Sequence, residues 1–247
     1  MENTVINQLK KRKSCRAYEK REIPADIKKE IIRSALEAPT AGNMTLYTIL
    51  DITDEALKKK LSVTCDNQPF IAEAPMVLVF CADYYRWYKA FCDNVDGVRE
   101  PEEGDFLLAA ADAFIAAQNT VVAAESFGIG SCYIGDITER FEIHRELFDL
   151  PDYVVPACML CFGYPAKSQL ERAKPVRFEI GDVVYENSYN KEKADTVNEM
   201  LMKKQGYEDK EAYEKWIKAF CKRKWNSDFS IEMSRSVREM IKYFCKK

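Results

Sequence analysis

The sequence predicts a mixed helix-and-strand chain, built as one large domain or as one domain with an appendage. Three observations carry that expectation. Met76 to Ala82 and Val154 to Phe162 are unbroken apolar runs of strand length, the pattern of strands covered on both faces. Asp105 to Phe127 holds eight alanines and is apolar nearly all round, which describes a buried central helix. At 247 residues and 47% apolar content, the chain can bury a core of that kind.

Taken in order, residues 3 to 11 read as a first amphipathic helix. A second runs from Pro24 to Leu36, with proline near its first turn and Ile27, Ile31, Ile32 and Ala35 on one face. Ala38-Pro39-Thr40-Ala41-Gly42-Asn43 ends it in a loop of small and turn-forming residues. A strand is expected at Tyr47 to Ile52 and a helix at Asp54 to Val63. Residues 84 to 104 carry Tyr84, Tyr85, Trp87, Tyr88 and Phe91 and then an acidic stretch; a surface excursion and a mobile lid both fit. Beyond the alanine-rich helix come a short strand at Ser131 to Ile134, a helix at Thr138 to Phe148 and the strand at Val154. Residues 166 to 190 are polar and aperiodic, an extended arm; charged helices are expected at about 191 to 204, 210 to 222 and 231 to 245. The domain reading is a core at 1–165, an arm at 166–190 and a charged helical extension at 191–247.

Composition excludes several classes. A net charge of -3 gives no general pull toward nucleic acid or anionic membrane. No stretch of about 18 uncharged apolar residues argues for a spanning helix. The chain opens without an apolar leader, so no signal peptide is expected, and a cytoplasmic location follows as the expectation. Nine scattered cysteines then read as reduced thiols. Cys158 and Cys161 form a CxxC, but inside a strand residues three apart face opposite sides, so they cannot share a zinc or form a redox pair. The one histidine, His144, lies mid-helix among Glu142, Arg145 and Glu146, where a structural role is expected. One histidine cannot build a His-based metal site, and no acidic cluster replaces it.

The most informative segment is Lys11-Arg12-Lys13-Ser14-Cys15-Arg16. If extended, it points Arg12, Ser14 and Arg16 the same way, and two guanidinium groups with a hydroxyl make a receptor for a phosphate or another anionic oxygen. The alternative is a solvated basic face at a helix C-terminus. Gly128-Ile129-Gly130-Ser131-Cys132-Tyr133-Ile134-Gly135-Asp136 does not make a dinucleotide fingerprint, because Tyr133 stands where GxGxxG needs glycine. It can end a helix, start a strand and bring bare backbone close to a flat ligand; a plain helix cap and turn is the alternative. Without a general base, nucleophile or metal site, the chain needs a cofactor for chemistry.

RxSxR, APTAGN, Asp66-Asn67-Gln68-Pro69-Phe70, GIGSCYIGD and Arg172-Ala173-Lys174-Pro175-Val176-Arg177, in that order over roughly residues 1 to 178, resemble the FMN-dependent nitroreductase family, with a tail similar to its larger oxygen-insensitive nitroreductase and flavin reductase branch. The resemblance implies an α+β fold, a central, mainly antiparallel sheet wrapped by helices in an intertwined homodimer with FMN at the interface. It implies that Arg12 and Ser14 hold the FMN phosphate and Arg16 the N1 and O2 edge of the ring, where a cation stabilises charge on the reduced flavin. Lys174 and Arg177 would form a second phosphate pair, in KPxR rather than KPR spacing. Thr40, Ala41 and Asn43 would line the ribityl chain and ring edge. Gln68, with Asn67 as the alternative, would bind the pyrimidine side, and the Gly135 N–H would face flavin N5, with Asp136 beside it. RxSxR and the glycine turn would serve one FMN from different subunits, and the alanine-rich helix would form the dimer core.

The implied activity is ping-pong transfer from NAD(P)H to a nitroaromatic, quinone or related flat acceptor. Flavin reduction, reductive dehalogenation (for which Tyr84, Tyr88, Lys89 and Glu100 offer the right groups) and a non-enzymatic FMN-binding redox sensor stay open as alternatives. Lys222, Arg223, Lys224 and Arg235 are available to grip an NADPH 2′-phosphate, or are simply solvated.

Overall fold

A computed structural model describes residues 3–246. Helices α1 (Thr4–Lys11) and α2 (Ala25–Leu36) lead to strand β1 (Tyr47–Asp51); α3 (Glu55–Thr64) and α4 (Phe70–Glu73) lead to β2 (Met76–Asp83). Then come α5 (Tyr85–Cys92), α6 (Glu103–Ser126), β3 (Gly130–Ile134), α7 (Phe141–Leu147) and β4 (Val154–Gly163). Four short helices and two long ones follow: α8 (Lys167–Glu171), α9 (Ile180–Val183), α10 (Lys191–Asp195), α11 (Val197–Gln205), α12 (Lys210–Lys224) and α13 (Asp228–Phe244).

The four strands form one sheet in the order β1-β2-β4-β3, and every neighbouring pair is antiparallel. Every residue of β2 and β4 is buried, as their unbroken apolar runs require. One face of β2, with Leu78 and Phe80, packs on Ala113, Ala116 and Ala117 of α6. Its other face, with Val77, Val79 and Cys81, packs on Leu61 of α3, Ile71 of α4 and Ile137. Cys158 lies in the first of these clusters and Cys161 in the second, so the CxxC spans the sheet, its thiols on opposite faces. Proline in a central strand is normally excluded, but Pro156 sits where the β2–β4 register shifts between Phe80 and Cys81, at a local bulge.

The alanines of α6 allow close approach on one side only. Ala109, Ala113, Ala116, Ala117 and Ala124 are buried, whereas Leu107, Leu108, Phe114 and Ile115 are exposed. The expected all-round burial is therefore corrected to a helix with a buried small-residue face and an outward apolar face. By length and composition α6 could cross a membrane; buried Asp105 and Asp112 instead tie it into the fold. Asp105 receives both Arg99 amino groups, at 2.5 and 2.9 Å, and Asp112 anchors the loop before β1.

By its contacts the chain divides into two units, residues 1–172 with 232–247, and residues 173–231. The last helix thus differs from the expected solvated extension. From Glu232 onward it belongs to the first unit, where Met240 and Phe244 join Leu46, Phe141, Tyr153 and Val155 in a third core cluster. Two of its charges meet α7: Arg235 spends its donors on Glu142 and Glu232 at 2.8 to 2.9 Å. It is a structural ion pair, with its guanidinium engaged. The arm expected at 166–190 is also partly helical, through α8 in the first unit and the capped turn α9 in the second. Within the second unit, Tyr207, Tyr213 and Trp216 form an aromatic cluster with ring centroids 5.7 to 6.2 Å apart.

Residues 84 to 104 resolve into a docked helix and an exposed stretch. The α5 helix is tied to the loop before β1 through Trp87 Nε1 donating to the Met44 carbonyl at 2.5 Å and Arg86 donating to the carbonyls of Thr45 and Tyr47 at 3.0 and 2.7 Å. Tyr88 meets Tyr153 edge-on at 4.8 Å.

Candidate functional site

The RxSxR segment is extended, and it is held that way from both sides. The Cys15 N–H donates to the Ser131 carbonyl of β3 at 2.9 Å, adding a strand-like edge to the sheet. On the other side the buried amide of Gln169, on α8, donates to the Ser14 carbonyl at 2.9 Å and accepts from the Arg16 N–H at 3.3 Å. Alternation then does what the spacing implies: Cys15 turns into the protein, 2% exposed, while Arg12, Ser14 and Arg16 stay at the surface or half-buried on the other face. Lys13 donates to the carbonyls of Leu170 at 2.8 Å and of Arg172, which end α8. No pattern in the sequence marks Gln169, because its partners are backbone atoms 153 and 155 residues away.

Close approach here requires glycine in β3. A Cβ built at Gly130 would lie 2.7 Å from the Cys15 Cβ and 3.2 Å from Pro165. Gly130→Ala is expected to destabilise by about 1–3 kcal/mol, because two backbones must part. Chemical denaturation of the variant would measure it; an unchanged midpoint would mean the segment is not pressed against β3.

The three predicted anion ligands converge on one place. Burial pushes the Cys132 thiol up, and Arg16, Ser14 and Arg12 pull the other way. Arg12 Nη1 is buried without a protein partner. A buried, unpaired guanidinium nitrogen is costly unless an anion meets it. Arg16 also stands over the Phe70 ring at 5.9 Å, which brings the start of α4 to the same place.

The glycine turn continues β3. Gly135 opens a short 3-10 turn, Gly135–Thr138, and a Cβ at Gly135 would meet nothing within 4 Å. Its φ is not in the left-handed region either. Neither packing nor backbone strain therefore demands glycine there, and the open space suits a flat ligand pressed against the main chain. Asp66 and Asn67 precede Gln68 in left-handed conformations, φ 61° and 51°, and turn the side chain of Gln68 toward the glycine turn. Gln68 Nε2 donates to Asp136 Oδ2 and to the Cys65 carbonyl, both at 2.9 Å. Of the two candidate amides it is Gln68 that the structure joins to the turn; Asn67 is exposed.

One expectation is corrected. RxSxR and the glycine turn, assigned above to different subunits, come together within one chain, since Cys15 hydrogen-bonds to β3 and the turn follows β3 directly. The group that stands apart is Thr40, Ala41 and Asn43, before β1 on the opposite edge of the sheet. Three strand spacings separate β1 from β3, about 14 Å. The Thr40 hydroxyl is committed within its own loop: it donates to Asp112 and accepts from the Thr45 N–H at 2.7 Å. Asp112 also receives the N–H groups of Ala41 at 3.0 Å and Leu46 at 3.2 Å, and it holds a loop with Gly42, Asn43 and Thr45 all at positive φ. Lys174 and Arg177 lie in the second unit. So do Lys222, Arg223 and Lys224, with Arg223 over the Phe220 ring at 5.6 Å and Lys224 over Phe229 at 5.2 Å.

Behind the turn lies His144, expected among surface charges but fully buried. Its Nδ1 meets the Ile137 carbonyl at 2.9 Å and its Nε2 the Thr64 hydroxyl at 2.8 Å. A carbonyl only accepts, so Nδ1 carries the proton and Nε2 accepts from Thr64. Burial lowers its proton affinity and keeps the ring neutral. Its surface-charge reading fails because Glu142, Arg145 and Glu146 occupy the outward side of α7 while His144 faces in. Next to it, Glu139 is 4% exposed with Oε1 unpartnered, and its carboxyl is pushed up to about 7 by burial and then by Asp136 and Asp66. The folded state therefore binds this proton more tightly than the unfolded chain, whose carboxyl sits near 4.5. That contribution to stability is present below 4.5 and is lost as pH rises through about 7. Glu139→Gln is expected to exceed wild-type stability progressively from pH 5 to 8 in urea melts; parallel curves would refute the burial of a neutral carboxyl.

Among the described residues no group of three or more His, Cys, Asp or Glu side chains could hold a metal ion. A family model described as the nitroreductase family matches residues 9–164. The FMN reductase (NADPH) of Bacillus subtilis (strain 168) is 34% identical over 190 residues, 76% of this chain and 75% of that protein. The Cr(VI) reductase of Pseudomonas sp. (strain G-1) is 38% identical over 186 residues, 75% of each. The solved structure of B. megaterium NfrA1 superposes with a TM-score of 0.79 at 27% identity, over 96% of this chain and 98% of that one.

Proposed function

The chain belongs to the nitroreductase family, and we infer that it is an FMN-dependent NAD(P)H oxidoreductase that reduces nitroaromatics, quinones or related flat acceptors. The observation that carries this reading is the buried, unpartnered Arg12 Nη1, on the face of the extended segment that it shares with Ser14 and Arg16. Such a cluster matches a phosphate and the electron-rich edge of a flavin in donor chemistry. When bound, FMN supplies the hydride-accepting and hydride-donating centre that no side chain here provides.

The chain's own residues do the rest. Arg12 and Ser14 hold the phosphate. Arg16 places a fixed positive charge at the N1 and O2 edge, favouring the reduced form. Gly135 keeps the N5 side free of side-chain bulk, so donor and acceptor use one open face in turn. Asp136 and Gln68 border the pyrimidine edge.

We assign Thr40, Ala41 and Asn43 to the FMN site of a second copy, in a homodimer. Their place on the far edge of the sheet supports this, as does the outward apolar face of α6, Leu107, Leu108, Phe114 and Ile115, continued by exposed Val5, Ile6 and Leu9 of α1. A cytoplasmic location agrees with nine cysteines that are all free thiols.

The test is an absorption spectrum of the purified protein, followed by anaerobic addition of NADPH and then NADH. A flavin band that bleaches, and returns with a quinone or nitroaromatic, is the expected result and ranks the donors. A protein that stays colourless after incubation with FMN would end this reading.

A further inference from the structure

The hydrogen bonds around Gln68 fix more than its position. A primary amide has two N–H donors on nitrogen and an acceptor oxygen, so which end meets a ligand depends on what holds the other end. Here both donors of Nε2 are spent, one on the Cys65 carbonyl and one on Asp136 Oδ2, each at 2.9 Å. Both partners are oxygens that accept. Turning the amide over would press Oε1 against a carbonyl and a carboxylate at the same distances, exchanging two hydrogen bonds for two repulsions. The orientation is therefore set by chemistry, and Oε1 is the only group Gln68 has left for a ligand. It can accept but not donate.

The pyrimidine ring of an oxidised flavin offers O2 and O4 as acceptors and a single donor, the N3–H. An acceptor at that edge can pair only with N3–H. We propose that Asp136 is a positioning residue that locks the Gln68 amide with Oε1 toward FMN, so that this chain selects its flavin by accepting a hydrogen bond from N3–H. The proposal rests on the FMN reading above. Asp136 is suited to the task because it follows Gly135 directly, and its backbone is pinned by the Glu139 N–H donating to its carbonyl at 3.0 Å. Cys65 contributes through its backbone, so of the two anchors only Asp136 can be removed by substitution.

The experiment titrates apo-protein with FMN and with 3-methyl-FMN, a flavin unable to donate from N3, following flavin fluorescence. Wild type, Asp136→Ala, Asp136→Asn and Gln68→Ala are compared, and the quantity read is the ratio of the two dissociation constants. Wild type is expected to prefer FMN by about tenfold or more, the worth of one hydrogen bond to a desolvated partner. Asp136→Ala and Gln68→Ala should reduce the preference to within about threefold. Asp136→Asn, which keeps an acceptor oxygen in the same place, should restore most of it. A purely structural role for Asp136 would weaken both flavins equally and leave the ratio alone, and that result overturns the proposal. So does an Asn variant that loses the preference as the Ala variant does, or a wild type that shows none. If Asp136→Ala does not fold, Gln68→Ala and Asp136→Asn still decide it. A wild type that binds neither flavin would sink the FMN reading itself, a different outcome from loss of selectivity alone.

Discussion

Arg12→Ala is expected to weaken FMN binding by roughly 10- to 100-fold while leaving the apo-protein as stable as wild type or slightly more so. The two halves of this expectation have one cause. Arg12 Nη1 is buried without a protein partner, so the folded chain carries a desolvation cost that only an anionic ligand offsets. Removing the guanidinium removes the cost from the apo-protein and the charge-assisted bonds from the complex. Flavin retention through gel filtration and a thermal melt of the apo-protein read the two halves separately. A variant that melts well below wild type without FMN, yet binds it normally, would make Arg12 part of the scaffold and void its role as a phosphate ligand. Arg16 makes a useful contrast, since its head is exposed and stands over Phe70. Its removal should lower the flavin's reduction potential more than it lowers occupancy.

Asp112→Ala is expected to cost about 3 kcal/mol or more, lowering the melting temperature by roughly 6–12 °C. The carboxylate is 3% exposed and satisfies the Thr40 hydroxyl and the N–H groups of Ala41 and Leu46. Alanine would leave those donors without an acceptor in a loop that already holds Gly42, Asn43 and Thr45 at positive φ. Asp112→Asn keeps the shape and one acceptor oxygen, so its loss should be smaller. If both variants melt with wild type, the loop is held by its packing alone. Because this loop is assigned to the partner's FMN site, Asp112→Ala should also loosen FMN in the dimer without touching Arg12.

Much of the site can be read from the chain because its signals are local. Arg12, Ser14 and Arg16 need only alternate along an extended backbone to share a face, and Cys15 points inward by the same rule. Cys158 and Cys161 are separated by strand geometry alone, and the unbroken apolar character of β2 and β4 already says that both faces are covered. Glycine at 135 is informative for a related reason: nothing in the fold asks for it.

Other features are silent in the sequence because they depend on partners far along the chain. Gln169 reads as one more polar residue in an arm, yet it grips the backbone of Ser14 and Arg16. Asp112 reads as an interruption in an apolar helix, yet it is the anchor of the loop before β1. His144 sits among charges in sequence and among carbonyls and hydroxyls in space, since a helix shows neighbours in the chain to opposite sides. The charged tail hides Met240 and Phe244, whose burial depends on a surface built by other elements.

By itself, then, the sequence determined the sheet's central strands, the face shared by the anion-binding residues and the family to which the chain belongs. These follow from short periodicities and from the order of motifs. Only the tertiary structure decided which motifs meet: RxSxR with the glycine turn and Gln68 on one edge of the sheet, Thr40 to Asn43 on the other. Strand order sets that division, and strand order is a matter of long-range pairing, which residue spacing along the chain does not encode.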